Sequence, residues 1–553
     1  MKKALVILLL LCGCATGGGR AGGDGRAPLL LDVDRDNVVI DEALVEKAGS
    51  RVVRVRFVPG AVKDADGDGV LHVRASNVTL ECEGVLRGAE AGVDPDRFSG
   101  TGVRVEDVRN VTVRGLEATG FKVGLRASDS DGFVLDRANF DNLWRMRLKS
   151  TAQKEHNDDW LWPHENDRQE WVTNYGAAVC VERSFGIKVL NVRVRNGQNG
   201  IILDRVEHGM MYDNDCSFLS GWGIAMWRSS ENMISRNALD FCVRGYSHGV
   251  YNRGQDSAGL LMFEQCCRNV VVENSMTHSG DGVFVFAGKE ALGEKPVEGM
   301  DYRRFGCNDN VFSGNDCSFA AAHGLEVTFS FGNQIEENIF EGNAICGVWG
   351  GYSQETKLLE NQFLGNGTPR TAEGGGVNIE HGYHNQVVRC DFQQNSVPVK
   401  LWDDDDGGLL KTPWAKANHK GSRETMIAAN FITRAGGVAG WVRRSHDIEL
   451  RSAELRPLKG QKIEPRDADK ESTFVNDSPW AGEPKPRVGA TPVGVAHPVG
   501  GRDGWWGRAW IVMDEWGPKE PGEGEQAGEK RGTAYVRFPF QRGPNAPKLL
   551  FPK

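Results

Sequence analysis

The chain has 553 residues, 40% of them hydrophobic and 25% charged, a balance that excludes both a disordered chain and a membrane-embedded one. Its 75 acidic and 66 basic residues give a net charge of −9, which argues against a protein that mainly binds nucleic-acid phosphates. The 70 glycines, about twice the usual share, follow no Gly-X-Y period. They therefore indicate many turns and an all-β repeat fold.

The N-terminus has the pattern of an export signal. Two lysines follow Met1, and the apolar run 4–11 behind them is too short to span a bilayer. Leu11-Cys12-Gly13-Cys14 resembles a bacterial lipobox, so we expect lipidation of Cys14, with an ordinary cleaved signal as the alternative. Residues 15–27 read as a flexible tether. These features predict a lipid-anchored protein of the cell envelope, on the periplasmic or surface side of the outer membrane.

Internal repetition is the strongest signal in the sequence. The pentapeptide Asn-Asp-Cys-Ser-Phe occurs at 214–218 and again at 315–319. Segments that open with glycine and continue as an alternating apolar run begin at Gly200, Gly223, Gly259, Gly282, Gly324, Gly347 and Gly376. Their spacings of 23, 36, 23, 42, 23 and 29 residues predict a 23-residue unit with insertions of variable length.

A column of asparagines accompanies this repeat. Four of them stand fourteen residues after an opening glycine, at Asn214, Asn237, Asn338 and Asn361. Three more fit the column when a shift or an insertion is allowed, namely Asn191, Asn274 and Asn315. Stacked asparagine side chains can hydrogen-bond from one coil to the next, which explains their fixed position in a variable repeat.

A unit of this length, with short β runs and turn residues, is one coil of a parallel β-helix. We predict an N-terminal cap over 28–69, the solenoid over 70–431 and a β-rich C-terminal cap over 432–553. Roughly twelve coils at ~4.8 Å each would form a rod of about 55–60 Å. The repeat resembles the right-handed parallel β-helix superfamily of pectin-degrading enzymes and related bacterial secreted proteins, and the right-handed sense follows from that resemblance.

Side chains alternate along the first strand of each coil, which predicts an apolar inner row and a distinct outer row. The outer row is rich in aromatic and charged residues, and insertions at 143–175, 243–258, 289–306, 368–375 and 405–422 flank it. We expect a sugar-binding groove between these insertions, unless they fold down and bury the aromatics. The predicted substrate-binding residues are Trp227, Arg228, Tyr251, Arg253, Phe284, Phe286, Trp349, Glu380, His381 and Trp402.

Asp281 and His323 precede the opening glycines of adjacent coils, so their backbones should lie ~5 Å apart. An aspartate beside a histidine is an acid/base arrangement. It resembles the polygalacturonase-type glycosidases at these two positions. Gly280 and Ala258 replace the other aspartates of that family, so its pectin hydrolysis does not carry over.

Two further carboxylates, Glu264 and Glu326, are predicted near this pair. Hydrolysis of a glycosidic bond needs two carboxylates flanking it. The groove carboxylates are expected about 10–14 Å apart along the backbone, so their side chains would have to converge. The predicted catalytic residues are Asp281, His323, Glu326, Glu264 and His248.

The loop 245–256 provides an alternative chemistry. It carries His248, Tyr251 and Arg253, and these are the residue types that β-elimination uses on uronic acids. A polysaccharide lyase is therefore the second enzymatic hypothesis. The insertion 143–175, rich in Trp, His and Asp, is either a substrate lid or, slightly favoured, a loop that packs on itself.

Metal and redox signals are weak. Asp64, Asp66 and Asp68 match the first half of a calcium loop, but its twelfth position is Ala75, so a turn is favoured and no cofactor is predicted beyond a weak possibility of calcium. The run 403–406 is either a hard-cation site or a solvated acidic turn. The ten cysteines after Cys14 show no zinc-site spacing and are expected to be buried free thiols.

The sequence thus predicts an exported, lipid-anchored, monomeric enzyme that cleaves a polysaccharide and does not bind nucleic acid. Hydrolysis is favoured over elimination because of the groove carboxylates. The alternatives are a lyase, a non-catalytic glycan-binding surface protein, and an accessory protein resembling the copper-associated β-helix proteins of nitrous-oxide reductase assembly. The last would need outward methionines, whereas Met226 and Met262 are predicted to point inward.

Overall fold

A computed structural model of the protein describes residues 28–151, 155–245, 254–295, 298–367, 374–433, 438–451, 455–457, 471–476, 510–520 and 534–537. In these residues the chain winds into a parallel β-helix, in which each strand pairs with the equivalent strand of the next coil. The predicted all-β architecture is confirmed. No helix of the described part is long and apolar enough to cross a membrane.

The described residues form three long walls of strands. Sheet 1 contains 16 strands, at Val38–Asp41, Leu71–Arg74, Thr101–Glu106, Val123–Ser128, Ala177–Glu182, Ile201–Asp204, Trp222–Trp227, Ala258–Phe263, Asp281–Phe286, His323–Thr328, Cys346–Trp349, Gly375–Glu380, Val399–Trp402, Val438–Arg443, Glu471–Asn476 and Leu455–Pro457. Sheet 2 contains 15, at Leu29–Val33, Val52–Phe57, Thr79–Glu83, Thr112–Arg114, Val134–Asp136, Lys188–Leu190, Met210–Tyr212, Met233–Ser235, Val270–Val272, Val311–Ser313, Gln334–Glu336, Lys357–Leu359, Gln386–Val388, Met426–Ala428 and Glu449–Arg451.

Sheet 3 is shorter and comes in two parts. The first consists of Val85–Arg87, Glu117–Thr119, Asn139–Asp141, Arg193–Arg195 and Asp215–Cys216. The second consists of Ile339–Glu341, Gln362–Leu364, Asp391–Gln393 and Phe431–Thr433. Single bridges at Ala238, Ser275 and Asp316 connect the two parts. A separate antiparallel sheet contains Trp510–Asp514, Gly517–Pro518 and Ala534–Arg537.

The hydrophobic core runs along the inside of these walls. The first and third residues after each opening glycine point inward, as predicted. Val283 and Val285, for example, pair in register with Leu325 and Val327 of the next coil, and all four are fully buried. Because every coil adds apolar side chains to the same column, the core lengthens with the chain and needs no division into globular domains.

The asparagine column forms a ladder. The Nδ2 atom of each donates to the Oδ1 atom of the next, from Asn214 through Asn237, Asn274, Asn315 and Asn338 to Asn361, at 2.9–3.0 Å. Asn191 is the exception, because it donates to Asp136 instead. The prediction was therefore right for six of the seven residues and wrong for Asn191.

The ends of the solenoid are closed in two different ways. Parallel pairing begins at Leu29, within the segment predicted as the N-terminal cap, and helix α1 (Glu42–Ala48) follows the first strands. The side chain of Asp41 caps the start of this helix, and Gly49 ends it in the left-handed conformation. At the other end, Glu471–Asn476 pairs antiparallel with Val438–Arg443, which covers the last edge of sheet 1.

Three short helices lie in the insertions. They are α2 (Glu170–Tyr175), α3 (Lys289–Leu292) and α4 (Pro413–Asn418), with 3₁₀ turns at Pro95–Arg97, Asn157–Asp159 and Leu409–Lys411. Helices α3 and α4 contact each other. All three pack outside sheet 1, so the insertions add structure to this wall.

The C-terminal segment 510–520 packs on the solenoid. Glu520 pairs with Arg195 at 2.9 Å, so the segment 510–520 lies against the middle of the solenoid. None of the ten cysteines in the described residues forms a disulfide bond, and eight of them are buried. Burial raises the pKa of the Cys82 thiol to about 12, which makes it unreactive.

Candidate active site

Much of the predicted aromatic floor is covered. Trp227 and Phe263 are fully buried and Phe284 is 8% exposed. The ring of Trp171, in helix α2, packs edge-on against that of Trp227, with the ring centroids 5.3 Å apart. This contact is favourable because it removes much apolar surface from water. The prediction that Trp227 and Phe284 line an open groove was therefore wrong, and the insertion 143–175 packs on the sheet here.

Glu264 and Arg228 form a separate ionic cluster. Arg228 pairs with Glu290 at 2.5 Å and with Asp167 at 3.1 Å, and lies 3.9 Å from Glu264. The Glu264 carboxylate lies under the turn at Gly288, where a Cβ atom would sit 2.1 Å from its Cδ atom. Burial raises the pKa of Glu264 to about 7, although Arg228 opposes this.

This cluster lies far from Asp281. Asp281 pairs in register with Ala258, and Glu264 follows Ala258 by six residues, so the backbones of Asp281 and Glu264 are about 20 Å apart along the strands. The structure thus places Glu264 and Arg228 away from the predicted acid/base pair. The carboxylates were expected about 10–14 Å apart along the backbone with side chains that would have to converge, and the Glu264 side chain turns to Arg228 and does not join Asp281.

Asp281, His323 and Glu326 do come together. The Nδ1 atom of His323 lies 3.2 Å from Asp281 Oδ1 and 3.1 Å from Glu326 Oε2. The backbone N–H of His323 also donates to Asp281 Oδ1, at 2.8 Å. Sheet 1 creates this arrangement, since Asp281 and His323 begin neighbouring strands and Glu326 lies three residues further along. We call these three residues the acid/base cluster.

The acid/base cluster is buried and strongly charged. Burial lowers the pKa of His323, but the hydrogen bonds that its ring donates to Asp281 and Glu326 outweigh burial and raise the pKa to about 9. Burial raises the pKa of Asp281, against the opposing effect of His323. The other ring nitrogen of His323, Nε2, is buried and has no hydrogen-bond partner in the described part of the chain. The imidazole is therefore charged at neutral pH and holds a proton beside two carboxylates.

Glu326 is the member of the cluster that reaches the surface. Its side chain is 12% exposed, against 1% for His323. Trp349 pairs in register with Glu326, is half-buried, and has its ring centroid 5.8 Å from that of His323. A partly exposed carboxylate beside an indole is suited to contact a sugar ring.

The insertion 143–175 contributes to this surface as well. The ring centroid of His164 lies 5.5 Å from that of Phe286 and 4.8 Å from that of Trp162. Trp162 is 53% exposed. Burial and the nearby Lys289 lower the pKa of His164 to about 4, while the charge of Glu326 acts in the opposite direction. The insertion is thus a packed loop on its Trp171 side and presents the exposed Trp162 beside His164, whose pKa responds to the charge of Glu326. The sequence slightly favoured a loop that packs on itself, which describes the Trp171 side.

The comparison with protein families settles the handedness of the fold. The family model "Right handed beta helix region" matches residues 177–363 and 303–411, the stretch that contains the acid/base cluster. The chain therefore has the fold of a right-handed parallel β-helix. No curated protein sequence matches it.

Several solved structures have a similar course of the backbone to this β-helix. The A-module of mannuronan C-5 epimerase from Azotobacter vinelandii is 12% identical, with a TM-score of 0.41; the alignment covers 75% of this chain and 95% of that one. DFA-IIIase from Arthrobacter chlorophenolicus A6 without its lid is 10% identical over 66% and 84%, with a TM-score of 0.38. The Dettilon tailspike protein is 10% identical over 75% and 67%, with a TM-score of 0.33.

The other predicted binding residues divide into two groups. Glu380 and Trp402 pair in register on sheet 1 of the β-helix and are half-buried, and Trp402 donates its indole N–H to Asn378 at 2.7 Å. His381 is buried instead, between Asp403, Asp404 and His419. It was predicted in the groove, but it follows the strand end and turns away from that surface.

The turn predicted as an incomplete calcium loop is well hydrogen-bonded. Asp64 Oδ1 accepts from the backbone N–H of Gly67 and Oδ2 from that of Thr101, both at 2.7 Å. Asp36 and Asp66 lie close to Asp64. The remaining predicted residues His248, Tyr251 and Arg253, and the lipidation site Cys14, lie outside the described residues.

Proposed function

We propose that this β-helix is an exported enzyme that cleaves a polysaccharide by hydrolysis at the acid/base cluster. The observation that carries the proposal is the position of His323 Nδ1, 3.2 Å from Asp281 and 3.1 Å from Glu326. Proton transfer to and from a glycosidic oxygen requires such a held proton with carboxylates next to it.

The roles follow from exposure. Glu326, the member that reaches the surface, contacts the sugar and gives a proton to the glycosidic oxygen as its bond to the anomeric carbon breaks; water adds to that carbon and returns a proton to Glu326. His323 holds the proton that keeps this carboxylate supplied, and Asp281 fixes the imidazole from its buried side. Asp281 and Glu326 have oxygen atoms within 4.8 Å of each other, because both lie against the same ring nitrogen of His323.

Charge favours hydrolysis over elimination. The cluster holds two carboxyl groups, Asp281 and Glu326, against one imidazole, His323. A lyase that acts on uronic acids must neutralise the substrate carboxylate, and a cluster richer in carboxyl groups than in bases is poorly suited to supply that positive charge. A neutral polysaccharide therefore suits this site better. The exposed ring of Trp162 and the half-buried ring of Trp349 offer stacking faces for sugar rings.

The first experiment is a screen of the full-length protein against neutral and uronic-acid polysaccharides. It measures new reducing ends and, in parallel, the ultraviolet absorbance of an unsaturated uronide. We expect reducing ends without that absorbance, and a rate loss of about 10²–10⁴ for Glu326→Gln. Glu337→Gln, a change of an exposed carboxylate in the turn after strand Gln334–Glu336, is the matched control and should leave the rate unchanged.

Two results would contradict the proposal in different ways. Absorbance that rises together with the reducing ends identifies a lyase and directs attention to His248, Tyr251 and Arg253. Binding of a glycan with no product, equally in the wild type and in Glu326→Gln, identifies a non-catalytic binding protein.

We also propose that Cys14 carries the lipid that holds the protein at the outer membrane. The support is the lipobox-like Leu11-Cys12-Gly13-Cys14 behind a short apolar run. Expression of Cys14→Ser should shift the protein from the membrane fraction to the soluble periplasmic fraction. Equal membrane association of the variant and the wild type would contradict lipidation at this residue.

A further inference from the structure

Three separate segments place a second cluster of ligand-type side chains in contact. His381 follows strand Gly375–Glu380, Asp403 follows strand Val399–Trp402, and His419 follows helix α4. The Nδ1 atom of His381 lies 3.0 Å from Asp403 Oδ1 and 3.1 Å from His419 Nε2. His381 is fully buried, and the other two are partly exposed.

We infer that His381, Asp403 and His419 bind one divalent transition-metal ion of the Zn²⁺ type. Ligand atoms about 2.0–2.1 Å from a tetrahedral ion are about 3.3 Å from each other. The two distances from His381 Nδ1 differ from that edge by only a few tenths of an ångström, and all three ligand atoms lie within 4.8 Å of one another. Two imidazoles and one carboxylate form a ligand set that Zn²⁺ prefers and Ca²⁺ does not.

The surroundings of His381 provide an independent observation. Asp404 Oδ1 lies 3.2 Å from its second ring nitrogen, Nε2, and a histidine that ligates a metal commonly donates its other N–H to a carboxylate in this way. The ring of Tyr352 stacks on the imidazole at 4.5 Å, with an angle of 13° between the planes. The hydroxyl of Tyr352 donates to Asp406 at 2.8 Å. These contacts fix the orientation of His381 toward Asp403 and His419.

The Nδ1 atom of His381 has two partners at once, because Asp403 Oδ1 and His419 Nε2 both lie within 3.1 Å of it. A metal ion between these three atoms would accept a lone pair from each of them. Glu380 lies 3.8 Å from Nε2 as well, so three carboxylates surround one buried ring. A divalent cation between the ligand atoms would balance this negative charge.

The site is distinct from the acid/base cluster. Glu326, Trp349 and Asn378 follow one another in register across sheet 1, and His381 lies three residues beyond Asn378. Strand geometry therefore separates Glu326 from His381 by about 14 Å. The ion would not contact the reacting sugar. It would join two strand ends to the segment after α4, and so hold the insertion 405–422 against the sheet.

The test uses the full-length protein, treated with a chelator and dialysed. Titration with Zn²⁺ in a calorimeter should show one equivalent that His419→Ala and Asp403→Asn each lose. Co²⁺ added to the same protein should give the visible absorption bands of a four-coordinate ion, again absent from these variants. Asp404→Asn should weaken Zn²⁺ binding about 10–100-fold. The control His384→Ala removes an exposed histidine three residues from His381 and should change nothing.

The number of Zn²⁺ equivalents bound by each variant is compared with that bound by the wild type. Any Zn²⁺ bound by cysteines is present in all of these proteins and cancels in the difference. Zn²⁺ should also raise the midpoint of thermal unfolding of the wild type but not of His419→Ala, while the two metal-free proteins unfold at similar temperatures. Retention of the full equivalent by both His419→Ala and Asp403→Asn would overturn the inference. Binding of Ca²⁺ in preference to Zn²⁺ would overturn it too. Neither result depends on whether the protein cleaves a polysaccharide.

Discussion

One oxygen atom of Asp281, Oδ1, accepts a hydrogen bond from the backbone N–H of His323 at 2.8 Å and lies 3.2 Å from the ring nitrogen Nδ1 of the same residue. The first contact fixes the strand start of His323, and the second fixes its ring. Glu326 then reaches the same ring nitrogen from three residues along the strand, at 3.1 Å. Because two charged partners hold one buried imidazole, its protonation is tied to the stability of the fold.

The first prediction concerns stability against pH. The pKa of His323 is about 9 in the folded protein and 6.5 for an ordinary histidine. A raised pKa means that protonation stabilises the fold, fully below pH 6.5 and progressively less as the pH rises through 9. Urea unfolding should therefore show the free energy of unfolding falling between pH 7 and 9. In the Asp281→Asn variant the pKa of His323 should be lower than in the wild type. The decrease in the free energy of unfolding should therefore occur at lower pH.

Nuclear magnetic resonance of the imidazole nitrogens checks the same point directly. His323 should titrate well above pH 7 in the wild type and at a lower pH in Asp281→Asn. Asp309→Asn, an exposed aspartate paired with Arg304 on the other side of the coil, is the control and should leave the titration unchanged. An ordinary His323 titration in the wild type would contradict the role given to the cluster.

The second prediction separates the two sides of the insertion 143–175. Trp171 is fully buried, so Trp171→Ala should cost about 3–5 kcal/mol of unfolding free energy by opening a cavity. Trp162 is 53% exposed, so Trp162→Ala should change stability by less than about 0.5 kcal/mol. It should instead raise KM for the polysaccharide, since it removes a stacking face. Urea unfolding and steady-state kinetics measure the two effects, and a stability loss in both variants with equal kinetics would refute the division.

The third prediction tests the asparagine ladder. Asn274 Nδ2 donates to Asn315, and its Oδ1 accepts from both the backbone N–H and the side chain of Asn237. Asn274→Ala leaves these buried groups without partners, at about 1–3 kcal/mol each. Asn191→Gly keeps the left-handed backbone at a position outside the ladder and should cost much less. Similar losses in both variants, measured by urea unfolding, would show that the ladder adds nothing specific.

The sequence alone predicts the coil and its inner row well, since a solenoid repeats the same local rule. A glycine followed by inward residues such as Val283 and Val285 recurs in every coil, and each coil needs only its neighbours. The pairing of Asp281 with His323 was predictable for the same reason. Both precede an opening glycine, and stacking brings equivalent positions together.

Features that lie outside the regular repeat, above all in the insertions, could not be predicted from the sequence. Whether Trp227 is open or covered depends on Trp171, which lies in an insertion with no counterpart in the other coils. Asn191 shares the spacing of the ladder but not its place, because a one-residue shift moves it into the turn. The contact of His381 with His419 joins a strand end to an insertion 38 residues later, and no period relates the two.

The last prediction concerns Glu264, whose pKa is raised by burial from 4.5 to about 7. A carboxyl group with a raised pKa favours the fold in its neutral form, so its contribution is complete below pH 4.5 and is lost as the pH rises through 7. Glu264→Gln removes the ionisable group but keeps an oxygen for the backbone N–H of Glu290, which donates to Glu264 in the wild type. The variant should therefore lose less stability than the wild type between pH 5 and 8.

Urea unfolding at pH 5 and at pH 8 measures how much stability the Glu264→Gln variant and the wild type each lose. Glu337→Gln is the control at an exposed position. Activity should stay unchanged in Glu264→Gln, because about 20 Å of strand separates it from Asp281. The change at Glu264 falls mainly between pH 4.5 and 7 and that at His323 mainly between pH 7 and 9, so one pH series distinguishes the two effects. Parallel stability curves for the variant and the wild type would mean that Arg228 keeps Glu264 charged throughout, and that burial does not control this carboxylate.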